Sequence, residues 1–314
     1  DCEVALWSGG LDSLAGLFSR IKLNSADRYL LVGSGISSQV QGSQSAVFEL
    51  AKTTVFTPMK LMQIPIHLRY FGEEPPKNDM FRARGFTFKI LGAVCAFMEG
   101  QRKLYIYENG YGAINLPFLR SETGLSHTRS VHPLSLIETS AFVGRLLGLS
   151  FSFDNPFLFV TKAQMCKSLA DVPDLAFRTV SCDGRHRQPN QPSQCGYCSS
   201  CLLRRVALIN ALDYDETDYV ITHRKTSWPS TYTAHFEAMQ VQAEQLQMIL
   251  ESHNPWERML ERYTSLRLLV EQVAASQQTT ALTISEKLLN LYHCYVNEWR
   301  NVQAKIQRSF QPCL

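Results

Sequence analysis

Near the amino end, Val4-Ala5-Leu6-Trp7-Ser8-Gly9-Gly10-Leu11-Asp12-Ser13 joins two periodicities. Its apolar start reads as a strand, which breaks at once into Ser-Gly-Gly-Leu-Asp-Ser. Leu14, Leu17, Phe18 and Ile21 then recur at helical spacing, so the hexapeptide occupies a strand-to-helix turn. Two adjacent glycines let the backbone turn tightly and approach a ligand with no Cβ in the way. The open amides of a helix start, its dipole and the hydroxyls of Ser8 and Ser13 make an anion cradle. Asp12 is the odd member, because a carboxylate repels a phosphate unless a cation lies between them. Magnesium, which favours carboxylate plus phosphate oxygens, resolves that conflict. A serine-capped glycine turn without a ligand is the plainer reading of the same residues.

Strand and helix signals alternate from there. Residues 29–35 read as a second strand, 44–53 as a polar helix, 60–68 as a third strand and 71–79 as an exposed loop. A helix over 86–99 precedes strand four, 103–107, which runs straight into Glu108-Asn109-Gly110. A helix over 135–149, a short strand over 157–160 and a helix opened by Thr161-Lys162 and reaching 171 complete the series. This alternation predicts an α/β fold, a parallel twisted sheet with flanking helices and its ligand site at the carboxyl ends of the strands. Gly33-Ser34-Gly35-Ile36-Ser37-Ser38 resembles part of a dinucleotide fingerprint but lacks the third glycine and the acidic residue downstream, and it reads as a strand-end loop.

Composition narrows the class. The 314 residues, 45% hydrophobic and 19% charged, suit a globular protein with a sizeable core. No apolar run reaches spanning length, and no segment reads as a signal peptide. A net charge of +3 is too weak to argue for nucleic acid. Four of the nine cysteines cluster and the rest scatter, which without an export signal predicts a cytoplasmic location. The chain opens inside a strand, so what precedes residue 1 stays open.

Cys182 and Cys195-Gly-Tyr-Cys198-Ser-Ser-Cys201 form a Cys-x12-Cys-x2-Cys-x2-Cys arrangement. Two-residue gaps let thiolates converge on one ion, and four of them close a tetrahedral shell around a structural zinc. An iron–sulfur cluster is the competing reading of the same spacing. Arg185, His186, Arg187 and Gln188 fall in the loop that such a metal would pin. Beyond Asp213 the chain becomes glutamine-rich and free of glycine. Asn254-Pro255 reads as a helix start. Ile284, Leu288, Leu291, Tyr295, Trp299, Val302 and Ile306 describe one amphipathic helix. Two parts are therefore expected, 1–213 with the cysteine segment 182–201, and a helical extension, 214–314. The faces of that extension must bury on the first part or on a second chain.

Ser8 to Ser13 match Ser-Gly-Gly-x-Asp-Ser, the pyrophosphate loop (PP-loop) of the N-type ATP pyrophosphatases. With the cysteine cluster and Leu202-Leu203-Arg204-Arg205, residues 1–213 resemble the 7-cyano-7-deazaguanine synthase (QueC) family. Arg82-Ala83-Arg84-Gly85-Phe86, Asn155-Pro156 and Thr161-Lys162 fall where that family carries landmarks. Glu108-Asn109-Gly110, Asn115-Leu116-Pro117 and His132-Pro133 are more similar to the QueC-like proteins of bacterial antiphage systems (Qat and type IV CBASS). The x12 spacing and the helical extension depart from the queuosine-pathway enzyme.

The resemblance implies an ATP-dependent C–N ligase. It adenylates a carboxylate, 7-carboxy-7-deazaguanine or a close analogue, releases pyrophosphate and passes the acyl group to an amine. ATP, magnesium and zinc are the implied cofactors. Ser8, Gly9, Gly10, Leu11, Asp12, Ser13, Gly33 and Gly110 would bind the nucleotide. Asp12, Lys162 and Arg84 would manage charge at the phosphates, with a surface ion pair the alternative role for Lys162 and Arg84. Glu108, Asn109, Asn115 and His132 would meet the purine-like substrate, with turn and capping roles the alternative. The amine is expected on a partner protein bound through the extension; ammonia, as in the ordinary synthase, is the alternative. A second copy of the chain is a further expected partner, whereas nucleic acid and membrane are not. A tRNA-modifying relative and a silent nucleotide-binding scaffold complete the alternatives.

Overall fold

The computed structural model describes residues 1–35, 38–66, 82–118, 130–183, 192–223 and 230–310. The expected loop at 71–79, the expected end of strand three at Leu68 and the residues Arg185, His186, Arg187 and Gln188 lie outside them. Five parallel strands, β1 (Cys2–Leu6), β2 (Arg28–Gly35), β3 (Met59–Pro65), β4 (Lys103–Tyr105) and β5 (Ser152–Asp154), form one sheet in the order β3-β2-β1-β4-β5. The helices among them are α1 (Leu11–Lys22), α2 (Ser38–Thr54), α3 (Arg82–Met98), α4 (Gly110–Ile114), α5 (Pro133–Leu147), α6 (Lys162–Cys166), α7 (Pro173–Arg178) and α8 (Ser199–Leu212).

The central strands read as continuous apolar runs because both of their faces are buried. Ala5, Trp7, Tyr29 and Leu31 face one core with Leu14, Leu17 and Phe18 of α1 and Val47 and Phe48 of α2. Their alternates Cys2, Val4, Leu30 and Val32 face another with Ala93 and Ala96 of α3 and Leu136 and Val143 of α5. The strand order reverses between β1 and β4. In a doubly wound sheet that reversal opens a crevice at the carboxyl ends of the two strands, where ligands sit.

The short strand expected over 157–160 is not a strand; β5 lies five residues earlier, pairing Leu104 with Phe153. Asn155 takes the Phe157 N–H on its side chain at 3.0 Å, and Val160 N–H returns to the Phe157 carbonyl at 3.0 Å. An Asx turn ahead of Pro156 thus folds the apolar run into turns. The helix expected to reach 171 is α6 followed by a 3-10 turn over Lys167–Leu169. Gly33 to Gly35 end β2, where the strand expected over 29–35 also ends, and pair with Gln63 to Pro65; of the expected strand-end loop, Ile36 and Ser37 lie outside the described residues and Ser38 opens α2.

The extension folds into α9 (Ser230–Leu250), α10 (Pro255–Arg262), α11 (Ser265–Ser276) and α12 (Ala281–Arg308). All seven residues of the expected α12 stripe are buried. Pro255 opens α10, but the Asn254 side chain makes no capping bond. The stripe shares one core with Tyr111, Ile114 and Leu116 around α4, with Leu158, and with Leu202 and Val206 of α8. Among the described residues no helix is long and apolar enough to cross a membrane.

Candidate functional site

The Ser8–Ser13 turn leaves β1 at the sheet reversal. Gly9 adopts φ +70°, and a Cβ there would lie 2.9 Å from the Gln44 Cα. Gly10 starts α1 in an extended conformation with no side-chain cap. The first-turn N–H groups of Leu11, Asp12 and Ser13 therefore have no intrahelical acceptor. Ser8 Oγ accepts from Gly10 N–H at 3.1 Å and lies 3.0 Å from Ser13 Oγ, which donates to the Gly10 carbonyl at 3.0 Å. Leu11 anchors the turn in the core.

Asp12 meets two other elements at the same edge. Its Oδ1 accepts from Asn109 Nδ2 at 2.9 Å, and its Oδ2 pairs with Lys162 Nζ. Asn109, just beyond β4, also donates to Glu108 Oε1 at 2.8 Å and caps α4 by accepting from Gly112 N–H at 2.9 Å. Thr161 and Gln164 form a capping box that fixes Lys162 as the first residue of α6. Burial opposes the Lys162 charge, but Asp12 and Glu108 outweigh it and raise its pKa. Burial, and next the Asp12 charge, push the Glu108 carboxyl up to about 8. The cluster thus holds the Asp12–Lys162 ion pair beside a carboxyl whose ionisation is disfavoured. Asp12 and Glu108 keep oxygen lone pairs for a hard divalent cation, and the helix start beside them suits an anion.

Other expected positions fare differently. Gly110, next to Asn109, and Gly33, beside the Trp7 carbonyl, are closely packed. A Cβ would meet Gln44 Oε1 at 2.6 Å from Gly33, and the Leu158 carbonyl oxygen at 2.0 Å from Gly110. Asn115 ends α4 in the left-handed region at φ 47°, and His132 caps α5 by accepting from Leu134 N–H at 3.3 Å. Arg84 is exposed on the first turn of α3. That turn stands at the sheet's carboxyl edge, on a different element from the four clustered residues.

Three supports escaped sequence reasoning. Gln44 is buried, accepts from Trp7 Nε1 through its carbonyl at 3.0 Å and braces Gly9 and Gly33. It holds a position on the α2 face otherwise made by Val47, Phe48 and Ala51, a polar residue in an apolar stripe. Asn155 donates to the Glu108 carbonyl at 2.8 Å and so ties the acid to the end of β5. Glu3, a charge inside an apolar strand, takes Arg20 Nε at 2.9 and 3.1 Å and the Tyr107 hydroxyl, locking β1, α1 and the end of β4 together.

Cys182, Cys195, Cys198 and Cys201 gather their sulfurs within 4.8 Å of one another. The Cys182–Cys198 and Cys195–Cys201 separations are 3.9 and 3.8 Å. A tetrahedron with Zn–S bonds of about 2.3 Å has edges of about 3.8 Å, so the sulfurs fit a single ion such as zinc. A multi-iron cluster spreads its thiolates over separate irons and fits less well. Gly196, at φ +83°, lets the chain turn against Tyr219 and Ile221, and Cys198 N–H donates to Cys195 Sγ at 3.2 Å. The segment entering this site reaches the Ser8–Ser13 turn, because the Val180 carbonyl lies 3.3 Å from where a Gly10 Cβ would stand. No family model matches the chain, and no curated protein is significantly similar to it in sequence.

Proposed function

We propose that the chain is a QueC-like, AMP- and pyrophosphate-forming ligase of PP-loop type that activates a 7-carboxy-7-deazaguanine-like acid. One observation carries the reading: Ser8–Ser13, Lys162 and Glu108-Asn109 come from three separate elements and converge at the sheet reversal. A carboxylate is a poor electrophile until its oxygen attacks the α-phosphorus of ATP and the bond to the β-phosphate oxygen breaks. Charge then develops on pyrophosphate, beside the α1 N-terminus and the Lys162 ammonium, which are oriented in advance to stabilise it. Magnesium, when bound at Asp12, supplies the charge neutralisation that lets a carboxylate stand next to phosphates. An amine nitrogen next attacks the acyl carbon and loses a proton, and AMP leaves. Asn109, and Glu108 with its carboxyl held toward the protonated form, offer both donors and acceptors to a purine-like ring. The cysteine site holds the Val180 segment against Gly10 and takes no part in bond making.

The amine is expected on a partner protein of an antiphage system. One observation favours the second reading, the ammonia-using synthase: the α12 stripe offered for a partner is already buried on the chain's own core. Pyrophosphate release on adding 7-carboxy-7-deazaguanine and ATP tests both. Release with ammonia and a nitrile product, formed as a second ATP activates the amide oxygen for loss, selects the synthase. Release completed only with a co-purified protein, which gains a deazaguanine-sized mass, selects the ligase. No release from wild type or from Asp12→Ala with any carboxylate defeats both readings.

A further inference from the structure

The two residues that cap the helix carrying Lys162 both reach across to the extension. In the capping box that opens α6, Gln164 N–H donates to Thr161 Oγ1 at 3.1 Å and Thr161 N–H donates to Gln164 Oε1 at 2.9 Å. Each side chain has one more donor, and each sends it to α12. Thr161 Oγ1 donates to Glu298 Oε1 at 2.5 Å, and Gln164 Nε2 donates to Cys294 Sγ at 3.6 Å. Cys294 and Glu298 stand one turn apart on α12, so a single face of that helix meets the start of α6.

α6 has only five residues. A helix so short has little stability of its own, so its cap and its neighbours decide where it lies. Lys162 is its first residue, 6% exposed, with its ammonium on Asp12. Thr161 is buried as well, and its hydroxyl has a single proton to donate. Giving that proton to Glu298 leaves the hydroxyl lone pairs for the Gln164 N–H that the cap must satisfy. Glu298 is anchored in turn. Asn210 Nδ2 of α8 donates to its carbonyl at 2.9 Å, and Asn301 Nδ2 donates to Asn210 Oδ1 at 3.2 Å.

We infer that Glu298, on the extension, is a positioning residue for Lys162: by holding the Thr161 cap it fixes the start of α6, and with it the ammonium that faces Asp12. Glu298 touches no reacting atom in this role. Its kinetic consequence rests on the phosphate-side role proposed above for Lys162. Misplacing a charge-stabilising group by about 1 Å can cost on the order of 10²-fold in rate, so a partial loosening of α6 is expected to cost about tenfold.

Two measurements on the full chain test this, comparing wild type with Glu298→Ala and Glu298→Gln. The first is the rate at which each lysine is reductively methylated, read by peptide mass spectrometry. Lys22, 47% exposed, sets the unprotected rate, and Lys89, buried between α3 and α5, reports on the rest of the fold. In wild type Lys162 and Lys89 are both protected. Glu298→Ala is expected to raise Lys162 labelling by about tenfold and leave Lys89 protected, whereas Glu298→Gln, which keeps an acceptor for Thr161, labels like wild type. The second measurement is pyrophosphate release with ATP and the carboxylate. Glu298→Ala should lower kcat about tenfold with KM for ATP within about twofold, and Glu298→Gln should restore kcat. Unchanged Lys162 protection in Glu298→Ala overturns the inference. Joint exposure of Lys162 and Lys89 overturns it too, since Glu298 would then support the fold at large. A glutamine variant that behaves like the alanine one, or a raised KM with unchanged kcat, does the same. If wild type releases no pyrophosphate with any carboxylate, the ligase reading fails, and the labelling alone decides whether Glu298 seats Lys162.

Discussion

Gly110 follows Asn109 and Gly33 packs beside the Trp7 carbonyl, and an added methyl group meets unlike neighbours at the two positions. At Gly110 it falls 2.0 Å from the Leu158 backbone oxygen, with Leu291 closing the other side. Neither can swing away, so Gly110→Ala is expected to cost about 3 kcal/mol in urea denaturation. At Gly33 it meets the end of the Gln44 side chain, which can rotate, and the same change should cost about 1 kcal/mol. Equal costs would mean that Gly110 is not packed as described. The Asp12–Lys162 pair gives a second prediction. Lys162→Met leaves a part-buried carboxylate unpaired and should destabilise by about 3 kcal/mol. Adding Asp12→Asn removes that charge and should recover most of the loss, while pyrophosphate release stays abolished. A double variant no more stable than Lys162→Met would show that the two side chains are not coupled. At this scale the loop residues were legible because a carboxylate amid glycines and hydroxyls makes chemical sense only beside a cation. Gln44 was not, because its meaning depends on Gly9 and Gly33, which reach it only once β1, β2 and α2 are packed.

Elements were legible where periodicity and burial agree. α12 shows its whole apolar stripe in the sequence because every third or fourth residue meets one continuous core. β5 showed almost nothing, since Ser152-Phe153-Asp154 is a three-residue edge strand with a single buried side chain. The more apolar run after it is turned by Asn155 and Pro156, a local competition that hydrophobicity alone does not reveal. α12 also reaches the site, because Thr161, the cap of α6, donates to Glu298 Oε1 at 2.5 Å. Burial pushes the Glu298 carboxyl up from 4.5 to about 7, against opposing effects of Thr161 and Lys167. A raised carboxyl stabilises the fold fully below its unfolded value and loses that contribution as pH rises through its folded value. Glu298→Gln keeps an acceptor for Thr161 without the charge. Its stability relative to wild type should therefore rise between about pH 5 and pH 8, by on the order of 2 kcal/mol after discounting for partial exposure. Urea midpoints at the two pH values measure this, and a pH-independent difference would remove the titration from Glu298.

Across the whole molecule the cysteine site and the extension act on the same hub. α8 begins at the cysteine cluster and packs against α6 and α12, with Cys201 among the gathered sulfurs and Leu202 and Val206 in the extension's core. Arg204, fully buried, donates to the Ala176 carbonyl at 2.6 Å and to Thr179 Oγ1 at 2.7 Å, linking α8 to the chain that enters the metal site. One tightly held ion per chain is expected by elemental analysis. Cys201→Ser should lose it and melt at lower temperature in a single transition, because α8 loses its anchor. A metal-free variant with an unchanged melting point would make the site dispensable to the fold. Composition divides the chain at Asp213, but packing does not follow composition. Tyr111 stacks on Tyr295 with centroids 3.9 Å apart and donates to Gln242 Oε1 at 2.6 Å, so α4, which follows Glu108-Asn109, rests on the extension. A chain ending at residue 213 would expose Tyr111, Ile114, Leu116, Leu158, Leu202 and Val206 together, a loss of cover too large for the first part to absorb. Such a chain is expected to bind hydrophobic dyes and to show no cooperative thermal transition. If it instead melts cooperatively at the temperature of the full chain, the extension is an independent unit, and the support it gives to α4 and Thr161 has no energetic weight.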